Sequence, residues 1–198
     1  MRLYFEKYFP ELDDNQIALL LKYHDLLLEW NQKINLISRK DTDNIILHHL
    51  IHSLALKKIF SLKPGMKVAD IGTGGGLPGI PLSIVFPESY FTLIDSIGKK
   101  IEALKDITSR LGNTNISLLH ARAEKITMKF DVIIGRAVAP VESFAATVGH
   151  LLTSQGKIFY WTGYSEQKAR IKIHHLSDMF EEEYFTGKTI MEADKTLF

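Results

Sequence analysis

The stretch Val68-Ala69-Asp70-Ile71-Gly72-Thr73-Gly74-Gly75-Gly76-Leu77-Pro78-Gly79 constrains this chain more than any other. An apolar run ends in a glycine-rich turn, and a second apolar run with prolines at its head follows. Glycine permits positive φ and lets a backbone approach a ligand closely. Pro78 and Pro81 fit the first turn of a helix, where a missing N–H costs nothing. A strand that passes through a glycine turn into a helix opens a βαβ unit. In open α/β sheets, ligands bind at the carboxyl ends of the strands.

The remainder of the chain from residue 66 agrees. β-rich runs at 67–71, 90–94, 116–119, 130–134 and 157–161 alternate with amphipathic segments at 78–86, 98–111, 141–152 and 165–179. That alternation predicts a doubly wound, mostly parallel sheet. The tail from Tyr184 to Met191, around Thr186-Gly187-Lys188, reads as a final hairpin or edge strand. Residues 1–62 read differently, as helical. Asp13 with Gln16 has the form of a capping box. Ile17, Leu20, Leu21, Leu27 and Leu28 recur with helical spacing, and His24 lies on that stripe as a hydrogen-bonded core histidine. A second helix is predicted from Asp41 or Thr42 to Phe60, before Leu62-Lys63-Pro64-Gly65 breaks the chain. The expected organisation is an N-terminal helical extension over 1–62 and an α/β domain over 63–198.

Composition removes several alternatives. With 198 residues the chain is long enough for a substantial core, and it contains no cysteine. Disulfides, cysteine-ligated zinc and a thiolate nucleophile are therefore excluded. No apolar run approaches the roughly 18 residues of a membrane span. The N-terminus lacks the apolar stretch of a signal peptide, so a cytoplasmic protein is expected. The formal net charge of +1 hides an asymmetry, because residues 97–129 carry seven basic residues against three acidic ones. Such a patch is either a solvated helix face or a contact for a polyanion.

The glycine loop admits a dinucleotide or S-adenosyl-L-methionine. Either would use an acidic residue at the end of the second strand, and Asp95 stands there, 21 residues after Gly74. Three features favour S-adenosylmethionine. Asp70 precedes the glycines, where a carboxylate can face a charged methionine end. The loop reads Gly-x-Gly-Gly-Gly. Two prolines follow, where a pyrophosphate would want helix N–H donors. After the third strand, His120-Ala121-Arg122-Ala123-Glu124 offers a backbone and a carboxylate to an adenine edge, although Glu124 equally suits a helix cap. Arg136, after the fourth strand, is either a phosphate clamp or part of a structural ion pair. His48, His49 and His52 lack a third strong ligand beside them, so no metal site is predicted. They are expected on the surface or facing RNA.

Four motifs in order resemble one family, the bacterial small-subunit ribosomal RNA guanine-N7 methyltransferases, also called glucose-inhibited division protein B. They are Trp30-Asn31-Gln32-Lys33-Ile34-Asn35-Leu36, the loop from Asp70 to Leu82, Asp95-Ser96-Ile97-Gly98-Lys99-Lys100 and Arg136-Ala137-Val138-Ala139. The resemblance runs from about residue 15 to 163 and more loosely to the end. It implies a Rossmann-like class I methyltransferase sheet, mostly parallel with an antiparallel last strand. It further implies methyl transfer from S-adenosyl-L-methionine to N7 of one guanine in 16S ribosomal RNA. Cofactor contacts are expected at Gly72, Gly74, Leu77, Asp95, Ala123, Glu124 and Arg136. RNA contacts are expected at Asn31, Lys33, Asn35, Lys99, Lys100 and Arg136, with 16S RNA or the small-subunit particle as partner, no membrane and a monomeric enzyme.

Two departures accompany the resemblance. The family usually shows Arg-His and then Asp-Ser where this chain has His48-His49 and His52-Ser53. It also tends to place a lysine where Thr162 precedes Gly163. No catalytic residue is assigned. Guanine N7 has an in-plane lone pair and no proton, so positioning alone suffices for its methylation. The residues leave three other classes open: a methyltransferase of the same core acting on another RNA, a protein or a small molecule; a non-catalytic cofactor-binding module; and an NAD-dependent oxidoreductase.

Overall fold

Every strand near the centre of this sheet has to bury both faces, and its sequence shows how. The computed structural model describes residues 2–112, 114–138, 140–163 and 171–195. Strands β1 (Lys67–Ile71), β2 (Tyr90–Asp95), β3 (Ile116–His120), β4 (Phe130–Arg136), β5 (Leu152–Thr162), β6 (Lys172–His175) and β7 (Thr189–Asp194) form one sheet in the order β3-β2-β1-β4-β5-β7-β6. The first five pair in parallel, and β7 runs antiparallel to both β5 and β6. Successive strand residues face opposite sides. Val68, Val132, Ile134, Phe159 and Trp161 belong to one apolar cluster, and Ala69, Ile71, Ile133, Ile158 and Tyr160 belong to the other. Continuous apolar strands of this kind need cover on both sides.

The helical extension supplies much of that cover on one face. It consists of α1 (Arg2–Tyr8), α2 (Asp14–Asn31), a 3-10 turn (Arg39–Asn44), a π-wound segment (Ile46–Ile51), α3 (His52–Leu54) and α4 (Leu56–Ile59). Asp13 and Gln16 form the reciprocal capping box at the start of α2. Phe5, Leu20, Leu27, Leu50 and Leu54 share a continuous cluster with Val68, Leu93 and Leu104. Helices α5 (Gly79–Val85) and α6 (Gly98–Leu111) contribute Ile80 and Leu104 to the same face. On the other face, α7 (Val141–Val148) brings Phe144 and Val148 against Ile133 and Tyr160.

Several boundaries differ from expectation. The predicted second helix is not a regular α-helix. Its first turn is 3-10 and its middle is π-wound, the form in which helices most often deviate at functional sites. The amphipathic segment predicted over 165–179 includes residues 165–170, which lie outside the described residues. Its later part is strand β6, followed by a 3-10 turn Leu176–Asp178. Strand β7 offers Ile173 a partner in Met191 and His174 a partner in Ile190, and this cross-strand pairing outweighs local helix propensity. The tail does form a strand, but β7 lies between β5 and β6 rather than at the edge. His24 is half-buried and pairs with its neighbour Asp25, Nδ1 to Oδ1, at 2.9 Å.

Candidate functional site

The glycine loop joins β1 to α5 at the carboxyl edge of the sheet. Gly72, Gly74 and Gly76 all hold positive φ, at 69°, 58° and 94°. Gly72 also has no room for a side chain, because a Cβ there would stand 2.8 Å from Val138 Cγ2. Asp70 sits under this turn. Its Oδ2 accepts from Thr73 Oγ1 at 2.7 Å and from the Gly79 N–H at 2.8 Å, while Oδ1 is buried without a protein partner. Burial pushes its carboxyl group up to about 7 against the two hydrogen bonds that favour ionisation. Asp70 therefore braces the loop. It is fully buried and does not line the adjoining cavity, in contrast to the expectation that it faces a ligand.

Asp95 ends β2 and is tied in from both sides. Its Oδ2 accepts the Gly74 N–H at 3.0 Å and its Oδ1 accepts the Ile97 N–H at 2.9 Å. Lys100 Nζ stands 3.9 Å from Oδ2. The carboxylate lines a cavity of about 410 Å³ together with Gly72, Ile94, Ala123, Glu124 and Phe144. Its volume falls within the roughly 300–1,000 Å³ of ordinary ligand pockets. A carboxylate beside apolar walls of Ile94 and Phe144 suits a nucleoside, with hydroxyls at Asp95 and a flat base between the walls. Backbone at Ala123 and the exposed Glu124 carboxylate close the far end. Leu77 is buried, with its N–H on the Thr73 carbonyl at 3.0 Å, so it supports the loop from below.

Arg136 ends β4 and turns the other way. It lines a second cavity of about 450 Å³ with His48, His49, His52, Trp161, Thr162, Tyr184 and Lys188. Arg136 Nη2 donates to His49 Nδ1 at 2.8 Å and Nη1 to the His48 carbonyl at 3.4 Å. Burial and the Arg136 charge hold His49 down to about 4, so its ring is neutral and Nδ1 is free to accept. His49 Nε2 lies 2.8 Å from Asp41 Oδ2, and Asp41 Oδ1 takes His48 Nδ1. Tyr184 stacks on His48 with ring centroids 3.6 Å apart and donates to the His48 carbonyl at 3.0 Å. Its hydroxyl also lies 3.2 Å from His52 Nδ1. Burial lowers the His52 pKa well below the ordinary range, and Trp161 Nε1 donates to its carbonyl at 2.8 Å. Of the two placements expected, on the surface or facing RNA, the first does not hold: His49 and His52 are buried walls of a cavity. Among the described residues no acidic or histidine cluster suits a metal ion.

The other expected contacts are spread over the molecule. Asn31 is buried, and its Oδ1 accepts the Leu36 and Ile37 N–H groups at 2.8 and 2.9 Å, which fixes the turn after α2. Lys33 pairs with Glu29 at 3.1 Å and lies 4.7 Å from the Trp30 ring centre. Asn35 is exposed and accepts from Arg39 Nε at 3.3 Å. Lys99 is exposed at the start of α6. Sequence reasoning missed Tyr23, whose buried hydroxyl donates to the Gly75 carbonyl at 2.7 Å. Its position three after Leu20 and four before Leu27 was the available signal. Nothing local pointed to Tyr184 or Lys188, which reach the second cavity from the tail.

This fold recurs among solved structures of other proteins. Precorrin-6y C5,15-methyltransferase from Geobacter metallireducens superposes with a TM-score of 0.52 over 81% of this chain and 90% of that one, at 16% identity. A point mutant of MtNAS in complex with S-adenosylmethionine superposes with a TM-score of 0.63 over 90% of this chain and 78% of that one, also at 16% identity. The class so defined is the Rossmann-like class I methyltransferase fold, with a nucleoside-sized cavity at the carboxyl ends of β1 and β2. The family rRNA small subunit methyltransferase G matches residues 16–193, and the chain belongs to it. It is 41% identical over 197 residues to the Ribosomal RNA small subunit methyltransferase G of Bacteroides thetaiotaomicron, covering 93% of this chain and 96% of that protein.

Proposed function

We propose that this chain transfers a methyl group from S-adenosyl-L-methionine to N7 of a guanine in 16S ribosomal RNA. The observation that carries this reading is the Asp95 cavity beside the Gly72 turn, in a chain that matches its family over residues 16–193. Bound there, the cofactor supplies a methyl group on a positively charged sulfur. Asp95 offers its remaining lone pairs to the ribose hydroxyls. Gly72 and Gly74 let the backbone lie close to the ligand, and Ala123 and Glu124 meet the adenine edge. Leu77 acts from beneath, by holding the loop's shape.

The acceptor needs no base from the protein. Guanine N7 presents a lone pair without a proton, so the chain's contribution is alignment and exclusion of water. Asp70, buried under the loop and bonded to Thr73 and Gly79, is not required to move a proton. Arg136 stands at the end of β4 on the wall of the second cavity, where it serves cofactor, RNA or both. Lys33, Asn35 and Lys99 are the proposed RNA contacts, with Asn31 shaping the turn that carries Asn35 and Lys100 held beside Asp95 at the cofactor cavity. The extension over 1–62 assists RNA recognition, and the domain over 63–198 carries the transfer. The enzyme is expected to act in the cytoplasm as a monomer. Among the described residues no helix is long and apolar enough to cross a membrane.

The test is mass mapping of modified guanines in 16S RNA from cells with and without the gene, paired with transfer by the purified protein to small-subunit particles. One 7-methylguanine lost from the RNA and restored in vitro is the expected result. An unchanged modification map overturns the reading.

A further inference from the structure

Tyr160 ties two walls of the Asp95 cavity together from beneath. It is the β5 residue paired with Gly135 of β4, and it is almost fully buried. Gly135 leaves a gap there, because a Cβ on it would stand 2.5 Å from Phe144 Cζ. Phe144 fills the gap and packs on the Tyr160 ring with centroids 4.5 Å apart. Beyond the ring, the Tyr160 hydroxyl accepts the Val138 N–H at 2.9 Å. Val138 in turn rests on the glycine turn, since a Cβ at Gly72 would meet both of its methyl groups, at 2.8 and 3.1 Å. Gly72, Val138 and Phe144 all line the Asp95 cavity, and Tyr160 does not. Two features set Val138 apart from a core valine. It is 42% exposed although it lies over the turn. The preceding Ala137 holds a positive φ of 54°, a conformation uncommon for a residue with a Cβ. Such a conformation persists where its surroundings impose it, and the Tyr160 bond to the next residue is one such constraint.

We propose that Tyr160 is a positioning residue for methyl transfer: its hydroxyl holds Val138 against the Gly72 turn and so fixes the cavity wall beside the cofactor's sulfur. The proposal rests on the methyl-transfer reading above for the identity of the ligand. Strand order decides which part of that ligand Val138 meets. The strands stand in the order β3-β2-β1-β4. With the base at Ala123 and Glu124 after β3, and the ribose at Asp95 on β2, the sulfur end continues toward β1 and β4. Gly72 and Val138 stand there, one after each of those strands. Tyr160 acts only through Val138 and touches neither reactant. A wall displaced there misdirects the methyl group and leaves the contacts at Asp95 and Glu124 in place. Loss of the phenol hydroxyl therefore lowers the rate of transfer rather than the affinity for cofactor.

The experiment uses the full chain, Tyr160→Phe, Val138→Ala and the double variant. Amide exchange at Val138 is measured first, by NMR on cofactor-free protein. Protection is expected in the unaltered chain, and exchange about tenfold faster in Tyr160→Phe, as for the loss of one hydrogen bond. Equal exchange in the two proteins overturns the tether. The Val138 methyl resonances are then followed as adenosine or S-adenosylhomocysteine is added. S-adenosylhomocysteine should shift them and adenosine should not, because adenosine ends at the ribose. Equal shifts with both, or none with either, overturn the placement beside sulfur. Single-turnover transfer to small-subunit particles should fall roughly tenfold in Tyr160→Phe, with the dissociation constant for S-adenosylmethionine unchanged within about threefold. In the Val138→Ala background, removing the same hydroxyl should change the rate less than about twofold, because residues that act as one unit are not additive. An undiminished rate in Tyr160→Phe, or equal losses in both backgrounds, overturns the positioning role. The exchange measurement involves neither cofactor nor methyl transfer, so it decides the tether even if no protein transfers a methyl group.

Discussion

The Asp95 carboxylate accepts the backbone N–H of Gly74 at 3.0 Å and so ties the tip of the β1 loop to the end of β2. One side chain thus does two things. It holds the glycine turn in shape and presents its other lone pairs to the cavity. Asp95→Ala should reduce S-adenosylmethionine affinity by roughly tenfold or more, since a hydrogen bond to a charged group contributes on the order of 1.5–3 kcal/mol. Asp95→Asn, which keeps one acceptor, should fall between the two. Isothermal titration on folded protein checks this, and equal dissociation constants for all three would refute the assignment.

Tyr23 links the extension to the same loop. Its hydroxyl is fully buried on the Gly75 carbonyl at 2.7 Å, and burial raises its pKa. Tyr23→Phe leaves that carbonyl without a partner, at a cost of about 1–3 kcal/mol. For a chain of this size the melting temperature should drop by roughly 2–10 °C. Cofactor affinity should drop as well, because the loop is what loosens. A lowered melting temperature with unaltered affinity would show that the extension does not brace the site.

Two buried groups set opposing pH dependences. The Asp70 carboxyl is raised from 3.8 to about 7, so the folded chain holds a proton there that the unfolded chain releases. Its contribution to stability is intact below about pH 4 and is lost as pH rises toward 7. His49 is lowered from 6.5 to about 4, and its contribution is intact above pH 6.5 and lost as pH falls toward 4. His52 shifts in the same direction as His49. The two slopes oppose each other between pH 4 and 6.5. Asp70→Asn keeps an oxygen for Thr73 and Gly79, and should make stability climb more steeply with pH across that window. His49→Gln should make it climb less. Melting temperatures at four pH values between 4.5 and 7.5 measure both slopes. Identical profiles for the three proteins would rule out these titrations.

Lys99 and Lys100 open α6 beside the Asp95 cavity. Lys99 is exposed, and Lys100 is half-buried near Asp95. Lys99→Gln should lower the salt slope of RNA affinity by about one if it meets a phosphate. Lys100→Gln should instead weaken cofactor affinity modestly, through its neighbour. RNA filter binding at four salt concentrations separates the two. An unaltered slope in Lys99→Gln would mean that this basic face is only solvated.

Local sequence determined most of the parallel sheet. The runs over 67–71 and 98–111 coincide with β1 and α6, because glycine turns and period-two or helical apolar spacing act over a few residues. The placing of Asp95 against Gly74 was legible for the same reason, since a βαβ unit brings consecutive strand ends together. Tertiary structure alone decided the rest. The segment at 172–175 becomes a strand only because β7 supplies its hydrogen-bond partners. His49 and His52 are buried because Trp161 and Tyr184, more than a hundred residues away in the chain, pack on the same segment. Arg136 is legible in the sequence as the residue that ends β4, but its contact with His49, where the extension folds over that strand end, has no local signal. Side-chain direction at a strand's end is set by what packs there, and that depends on contacts between residues far apart in sequence.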